Sequence, residues 1–551
     1  MTAAAARPAL RSRVCWPLPC ILILGSFGSR AQSTQAPALK PPRTADTYFA
    51  QGMAMAKAGN WTEAELAFKK GQRLAPRDVR FPEELAGVAF KQKKNSLAKR
   101  RLRAALRLAP QDGYALNFLA TLYFLDGNDQ AALKYWNRES KPQIASISAE
   151  PLPRVSPGLL DQAFAFSPAS TLLLPQYLST ETRLNALGIF PAFQLNLDAL
   201  ADGRFHATLR AHELDGFGGA GWGDLAYLLQ GLPFAAVEPS YWNIRKQAIN
   251  FNSMLRWDDE KRRAFAQLSG PWQGSAKYRW EWLTDLRNEN WALRRESAGP
   301  APVLASFNMR TERGGFNLAS HASGRIGWSV GAELSNRNFR SVQPGTVLTS
   351  HMIASGVELK QREQLTGVLW RVPEHRFVLS AGTQFEAARL WSSPAQNIEK
   401  LTGSLLWRWF PRAQGDDDAM TQQLRAGKIF GRAPIDELYI LGLERDNDLP
   451  MIAHIGTRDG LKGSAPLGRD YLLQNWEMDK NIYGNGLFKI QIGPVLDIGK
   501  ITDPGTALGS QPWMFDTGAA LKLRVLGVGM VFTYGRGLRS GVNALYAEGL
   551  D

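Results

Sequence analysis

Cysteine and histidine are scarce in this 551-residue chain, and their scarcity limits the chemistry that it can carry. The two cysteines, Cys15 and Cys20, both lie within the first twenty residues. A disulfide scaffold, an iron–sulfur site and a Cys-based zinc site are therefore excluded from the body of the protein. The six histidines show no HExxH spacing, and we predict neither a metal nor a cofactor.

Long apolar runs are also lacking beyond the first residues of the chain. No later segment has the run of about 18 apolar residues that a membrane-spanning helix needs. Only helices and closed barrels satisfy their backbone polar groups in lipid, so a membrane role would require a barrel. The chain is nevertheless 44% hydrophobic, with 17 Trp and 26 Phe, which excludes a wholly disordered protein. The formal net charge is +15.

The N-terminus has the pattern of an export signal. Arg7, Arg11 and Arg13 precede a short apolar stretch at 14–25, and small residues follow up to Ala31. We predict a signal peptide at 1–31 and a Pro- and Ala-rich linker at 32–44. Export argues against a nucleic-acid partner.

A repeat of 34 residues follows the linker. Small residues recur at Ala64, Ala98 and Ala132, and Leu74-Ala75-Pro76 recurs as Leu108-Ala109-Pro110. The period and the small positions resemble the tetratricopeptide repeat, and we expect three such repeats at 45–144. The resemblance implies a concave surface that binds peptide or protein; the alternative is a structural spacer.

The second repeat carries a basic face. Its predicted residues are Lys93, Lys94, Arg100 and Arg103, within a helix that also contains Lys91, Lys99, Arg101 and Arg107. These residues form either a solvated helix face or a contact surface for an anionic partner.

The segment 158–215 is helix-like and then strand-like, and a turn at Asp202-Gly203 leads to an alternating strand at 204–213. The helix, the Gly-Ile-Phe strand start at 188–190 and the strand ending near Glu213 resemble the POTRA modules of Omp85 proteins. The resemblance implies an α+β module whose sheet edge pairs with an extended chain. The alternative is a small α+β spacer.

Alternating segments separated by turn residues fill 217–551. Tyr278, Trp280 and Trp282 alternate with charged residues, and the same pattern returns near the C-terminus at 528–534. This alternation is typical of a membrane barrel, and we predict a sixteen-stranded antiparallel transmembrane β-barrel. A soluble sandwich or propeller is the alternative.

The last 120 residues are similar to the bacterial surface antigen domain that ends Omp85 proteins. The similarity lies in 434–442, 456–463, 493–499, 515–524 and 527–535. It implies a loop folded into the barrel whose Arg meets an acidic wall residue. The nearest matches are Arg458 with Gly460 in the loop and Asp497 with Gly499 on the wall, and Arg469 competes with Arg458.

The final predicted strand, 541–547, is short, and the chain lacks a terminal Phe or Trp. A short last strand fits a lateral gate to which a client strand is added, and it equally fits simple divergence.

Two short sequence patterns match enzyme motifs, but neither has the flanking secondary structure that its motif requires. Ser329 lies in Gly-x-Ser-x-Gly at 327–331, but its flanks alternate like a strand and no strand–turn–helix is predicted. The glycines at 216–221 are better explained as a hinge before the barrel. We therefore predict a protein that is not an enzyme.

Together these patterns predict a bacterial outer-membrane protein of Omp85 type with periplasmic N-terminal domains. It would insert proteins into the outer membrane or translocate them, by edge-strand pairing and barrel opening. Its expected partners are outer-membrane lipid, and polypeptide clients or periplasmic proteins bound by the repeats and the POTRA-like edge. The alternative function is a passive channel or surface receptor with a repeat scaffold.

Overall fold

A computed structural model describes residues 44–217, 235–294, 301–411, 418–444, 447–484, 488–503, 508–525 and 528–550. The predicted signal peptide, all but the last residue of the linker and most of the glycine-rich 216–221 segment lie outside these residues. No helix in the described ranges is long and apolar enough to cross a membrane. The chain divides into two units, 1–76 and 77–551.

Six helices fill the predicted repeat region, and their spacing follows the sequence period. They are α1 (Ala45–Lys57), α2 (Trp61–Leu74), α3 (Arg80–Lys91), α4 (Asn95–Leu108), α5 (Gly113–Leu125) and α6 (Asp129–Trp136). The second helix of each pair begins at Trp61, Asn95 or Asp129, 34 residues apart.

The first unit holds α1 and α2, which approach closely at a glycine. A Cβ added to Gly52 would lie 2.5 Å from the ring of Phe68, so only glycine fits at this crossing without a shift. Phe68 is fully buried and its ring lies 5.8 Å from that of Phe49. The small residue of the repeat thus allows the helix pair to form.

Helices α3–α6 open the second unit around an apolar core. Ala98, Leu102 and Leu119 are fully buried in it. Asp112 and Asn128 are the N-caps of α5 and α6, and each side chain accepts a backbone N–H of the first turn, at 2.8 and 3.1 Å. These caps satisfy donors that the helix itself leaves unpaired.

A small α/β module follows the helices. It contains β1 (Ile144–Ala149), α7 (Pro157–Ala163), α8 (Leu174–Ala186), β2 (Ala192–Ala199) and β3 (Phe205–His212). Its sheet has the order β1-β3-β2, with β1 parallel and β2 antiparallel to β3. The module therefore begins before the predicted boundary at residue 158, because β1 pairs with a strand that is distant in sequence.

The remainder of the chain forms one large antiparallel sheet of about 18 strands. The strands from here on are β4 (Ala236–Val237), β5 (Ser240–Ile244), β6 (Ile249–Trp257), β7 (Lys261–Trp272), β8 (Ser275–Arg294), β9 (Val303–Ser320), β10 (Ile326–Arg340), β11 (Gly356–Val372), β12 (Phe377–Trp391), β13 (Gln396–Trp409), β14 (Asp418–Gly431), β15 (Tyr439–Ile440), β16 (Thr457–Arg458), β17 (Leu461–Lys462), β18 (Leu467–Gly468), β19 (Asp470–Gly484), β20 (Phe488–Asp503), β21 (Gly509–Ser510), β22 (Met514–Val525), β23 (Val528–Gly537) and β24 (Asn543–Leu550).

The long strands follow one another in chain order along this sheet. Some of the strands in this sheet have only two residues, and β15 and β18 pair with each other outside it. Sixteen membrane-spanning strands in a sealed barrel therefore stay a prediction.

Side chains on the long strands alternate between an apolar exposed face and a polar inner face. On β8, Trp282 is 56% exposed whereas Asp285 is 3% exposed. On β10, Leu334 is exposed and Arg337 is buried. Ser329 also lies within β10, so its surroundings are those of a strand rather than of a nucleophile elbow.

Candidate functional site: a segment folded inside the sheet

The segment 432–469 connects β14 to β19 and contacts strands far apart in the sheet. Lys462 of β17 pairs with Trp291 of β8, and the N–H of Arg294 donates to the carbonyl of Gly463 at 3.0 Å. The N–H of Ile452 donates to Asp497 of β20 at 2.8 Å. Because β8 and β20 are remote from each other along the strand order, the sheet must curve around this segment.

The beginning of the segment is held by Arg337, which lies on β10. Its guanidinium contacts three carboxylates: Asp436 at 3.0 Å, Glu437 at 3.1 Å and Glu358 at 2.7 Å. The Arg337 and Glu358 side chains are 1% and 0% exposed. A guanidinium so deeply buried needs such partners, because an unpaired buried charge is costly.

Two lysines complete the cluster at Glu437. The Lys360 ammonium of β11 lies 2.8 Å from this carboxylate, and the Lys400 ammonium of β13 lies 2.5 Å from it. Lys400 also lies 3.8 Å from Glu386 on β12. We call Arg337, Glu358, Lys360, Glu386, Lys400, Asp436 and Glu437 the basal cluster. It joins the segment to four consecutive strands.

The opposite contact uses two aspartates that face each other on neighbouring strands, Asp497 on β20 and Asp516 on β22. Asp497 accepts the N–H of Ile452 at 2.8 Å and the amide of Asn475 at 2.7 Å. Asp516 accepts the N–H of Ala453 at 2.9 Å. Charge-assisted bonds of this kind are stronger than neutral ones, so the aspartates fix the main chain of the segment.

Gly499, the second predicted wall residue, lies where the segment approaches β20. A Cβ added there would be 2.6 Å from the sulfur of Met451. Met451 is fully buried, so a larger residue at 499 would displace it.

Arg458 and Gly460 lie on a hairpin rather than beside Asp497. Residues 459 and 460 have φ of 54° and 80°, and Arg458 pairs with Leu461 across them. An Asp-Gly pair with two positive φ values is the usual two-residue hairpin turn, which explains Arg-Asp-Gly locally. The Arg458 side chain is 39% exposed, with Nε 3.9 Å from Asp459. The polar partners of the Asp497 carboxylate are Ile452 and Asn475, and Arg458 is not among them.

Arg469, the competitor, lies at the end of the segment. Its Nη1 donates to the carbonyl of Gly431 at 2.7 Å, and its Nε is 3.9 Å from Asp503. It therefore joins the two ends of the segment at the wall, close to where β14 ends and β19 begins.

Sequence reasoning missed the acidic pair Asp436-Glu437 and the histidine at 454. Both lie in or beside stretches that the family resemblance covers, yet an acid–acid dipeptide before a strand carries no local signal of a buried ion pair. The dipeptide forms one only because the fold places Arg337 beside it.

A polar cavity of about 490 Å³ lies between the segment and β8–β14. Charged and amide side chains line it, among them Glu289, Gln364, Gln384 and Arg425. In the described part of the chain, no three His, Cys, Asp or Glu side chains are grouped to hold a metal ion.

The predicted basic face divides between solvent and core. Lys93, Lys94 and Arg100 are exposed on or just before α4. Arg103 is half-buried and donates to the hydroxyl of Tyr123 at 2.6 Å.

Comparison with known proteins gives structural neighbours and no sequence relatives. No family model matches the chain, and no curated protein matches it. BamA from Haemophilus ducreyi lacking POTRA domains 1-3 is 9% identical, with a TM-score of 0.42 over 74% of this chain and 84% of that one. CdiB from Escherichia coli is 13% identical, with a TM-score of 0.47 over 74% and 75% of the two chains. The second TPR of Spaghetti covers 17% of this chain, with 18% identity and a TM-score of 0.17.

Proposed function

We propose that the chain is an outer-membrane protein of the Omp85 type that inserts other proteins into the outer membrane or translocates them across it. The observation that carries this proposal is the segment 432–469, which is tied to β10–β13 at one end and to β20 and β22 at the other. A large antiparallel sheet that wraps around its own loop is the arrangement expected of a plugged barrel.

The exposed face of the sheet supports a membrane location. Large apolar side chains lie on it along many strands, including Trp282, Leu334, Leu369 and Trp370, which are 55–61% exposed. Outward apolar residues alternating with an inward polar face are the pattern of outer-membrane barrels. In this proposal the exposed aromatic residues contact lipid.

The N-terminal modules support a role with polypeptides. Helical repeats present surfaces for protein partners, and the three-stranded sheet leaves β1 and β2 as edges. An extended client chain would add to such an edge through main-chain hydrogen bonds. These domains would lie in the periplasm, as the resemblance implies.

The polar cavity favours one other function, a passive channel. Depletion of the protein in its own cells separates the two. Loss of specific proteins from the outer membrane, restored by the parent chain, supports the insertion or translocation role. A normal outer-membrane proteome, together with steady ion conductance of the purified protein in planar bilayers, supports the channel and overturns the proposal.

A further inference from the structure

The turn between β11 and β12 is bound by the third helical repeat. The Asn128 side chain donates to the carbonyl of Pro373 at 2.9 Å, and Arg376 donates to the carbonyl of Gly127 at 3.0 Å. Arg371, on β11 two residues before Pro373, donates to the side-chain oxygen of Gln130 at 3.0 Å. The loop between α5 and α6 is therefore fastened to the end of two strands of the large sheet.

Glu374, at the tip of this turn, inserts its carboxylate into the repeat. The Oε1 atom lies 2.6 Å from the Lys134 ammonium and accepts the Tyr135 hydroxyl at 2.8 Å. The Glu374 side chain is only 9% exposed. Burial opposes its ionisation, but the contacts with Lys134 and Tyr135 lower the pKa of Glu374 below its ordinary value, so it is ionised at neutral pH.

The slot that receives this carboxylate is built by aromatic and cationic side chains. The Tyr135 ring stacks on the Tyr123 ring with centroids 5.8 Å apart. The ammonium of Lys99 lies 4.4 Å from the Tyr123 centroid and is paired with Asp126, and Arg103 donates to the Tyr123 hydroxyl. Arg103 and Lys134 therefore supply the positive charge beside the stacked tyrosines, which favours an anion at this place.

The surface leading to the slot is strongly basic. Residues 91–107 contain eight Lys and Arg and no acid. The exposed members of this stretch, among them Lys93, Lys94 and Arg100, raise the local concentration of acidic chains and steer them toward the repeat.

We infer that Lys134 and Tyr135 form a carboxylate-binding site that Glu374 occupies from within the chain, and that an acidic polypeptide segment competes for it. When such a segment binds, the third repeat loses its main charged contact with the turn between β11 and β12. Binding of an acidic partner is thereby coupled to the position of the turn between β11 and β12 in the large sheet. This inference does not depend on the proposed function, because it concerns binding alone.

The test is binding of a short labelled oligoglutamate peptide to the purified full chain in detergent, followed by fluorescence anisotropy. Glu374→Gln removes the competing charge and should raise the peptide affinity about tenfold, because affinity falls with the fraction of sites that are already occupied. Adding Lys134→Ala or Tyr135→Phe to Glu374→Gln should remove this gain. Hydrogen exchange at 371–376 in the parent chain should increase when the peptide is added.

Matched variants control for charge and folding. Glu312→Gln removes an exposed glutamate paired with Arg310, and Lys69→Ala removes an exposed lysine of the first repeat; neither should change the affinity. The inference is overturned if oligoglutamate binds the Glu374→Gln chain no more tightly than the parent, or if the Lys134 and Tyr135 variants leave the tighter binding intact. Oligoglutamine should not bind in any case.

Discussion

The imidazole Nδ1 of His454 lies 2.8 Å from Oδ2 of Asp516, and both side chains are buried. The same carboxylate oxygen accepts the N–H of Ala453, while Asp497, directly opposite on the next strand, accepts the N–H of Ile452. Three consecutive residues of the inward segment are thus held by two facing carboxylates. The family resemblance implied an Arg in such a contact, and here backbone amides and a histidine take that place.

Replacing Asp516 should loosen the segment without unfolding the sheet. Asp516→Ala removes two hydrogen bonds to a charged acceptor, which are worth about 1.5–3 kcal/mol each. We expect a lower unfolding temperature and faster protease cleavage within 447–456. Asp459→Asn, which removes the exposed negative charge and keeps a residue type that tolerates a positive φ, is the matched control and should change neither. Unchanged cleavage in the Asp516 variant would show that the contact does not hold the segment.

The basal cluster should respond more strongly, because its charges are buried. Glu437→Gln leaves Lys360 and Lys400 without their shared carboxylate, and breaking a buried ion pair costs about 3–5 kcal/mol. We expect a marked loss of thermal stability, measured by the temperature at which the gel mobility of the folded protein changes.

A double exchange tests whether the effect is one of charge. The double variant Glu437→Lys with Lys360→Glu again places opposite charges at 437 and 360, so it should recover part of the lost thermal stability. Each single charge reversal should be less stable than Glu437→Gln. Glu399→Gln, at an exposed position of β13, serves as the neutral control. Equal stability of all these variants would remove the basal cluster as an anchor.

Gly499 tests the close approach of the segment to the wall. Gly499→Val would push on Met451, whose sulfur lies 2.6 Å from the site of an added Cβ. Overpacking of this kind costs about 1–3 kcal/mol. Met451→Ala should relieve the clash and restore part of the stability in the double variant, measured by the same gel assay. Gly403→Val, where an added Cβ meets nothing within 4 Å, should be tolerated.

Features that depend on near neighbours in sequence could be predicted, and features that depend on distant ones could not. The 34-residue period and the alternation along β8 are local patterns, and both correspond to observed elements. The pairing of Arg337 with Asp436 joins residues 99 positions apart, and no local pattern distinguishes these residues from other charges on a strand or in a loop. Strand β1 was missed for the same reason, since its partner β3 lies about sixty residues later.

The expected role of Arg458 depends on a distant contact and stays a prediction. Its two neighbours have a local role, because Asp459 and Gly460 supply the two positive φ values of the hairpin turn. A turn signal of this kind is available from sequence alone.

A charge on the outward face should destabilise the protein if that face contacts lipid. Leu334 is 55% exposed on β10, and an Arg at mid-bilayer costs about 2–4 kcal/mol in a barrel. We therefore expect Leu334→Arg to lower stability in lipid vesicles. Gln364→Arg, at a residue lining the polar cavity, is the control and should cost less. Equal effects of the two substitutions would argue against a lipid-facing Leu334.

The docking of the third repeat and α8 beside the large sheet should weaken as pH rises. Burial raises the pKa of Asp129 to about 6 against the opposing charge of Arg376, and raises the pKa of Glu181 to about 7 against that of Arg371. A carboxyl whose pKa is higher in the folded than in the unfolded state makes folding less favourable as it ionises, so stability falls between about pH 4 and 7. Glu374 acts in the opposite sense, because its pKa is lowered and its contribution to stability is lost only as the pH falls below its ordinary value of 4.5.

We expect hydrogen exchange in α6 and α8 to quicken from pH 5 to pH 7, after correction for intrinsic exchange. The double substitution Asp129→Asn with Glu181→Gln should flatten that pH dependence. An unchanged slope in the double variant would assign the pH response to other groups.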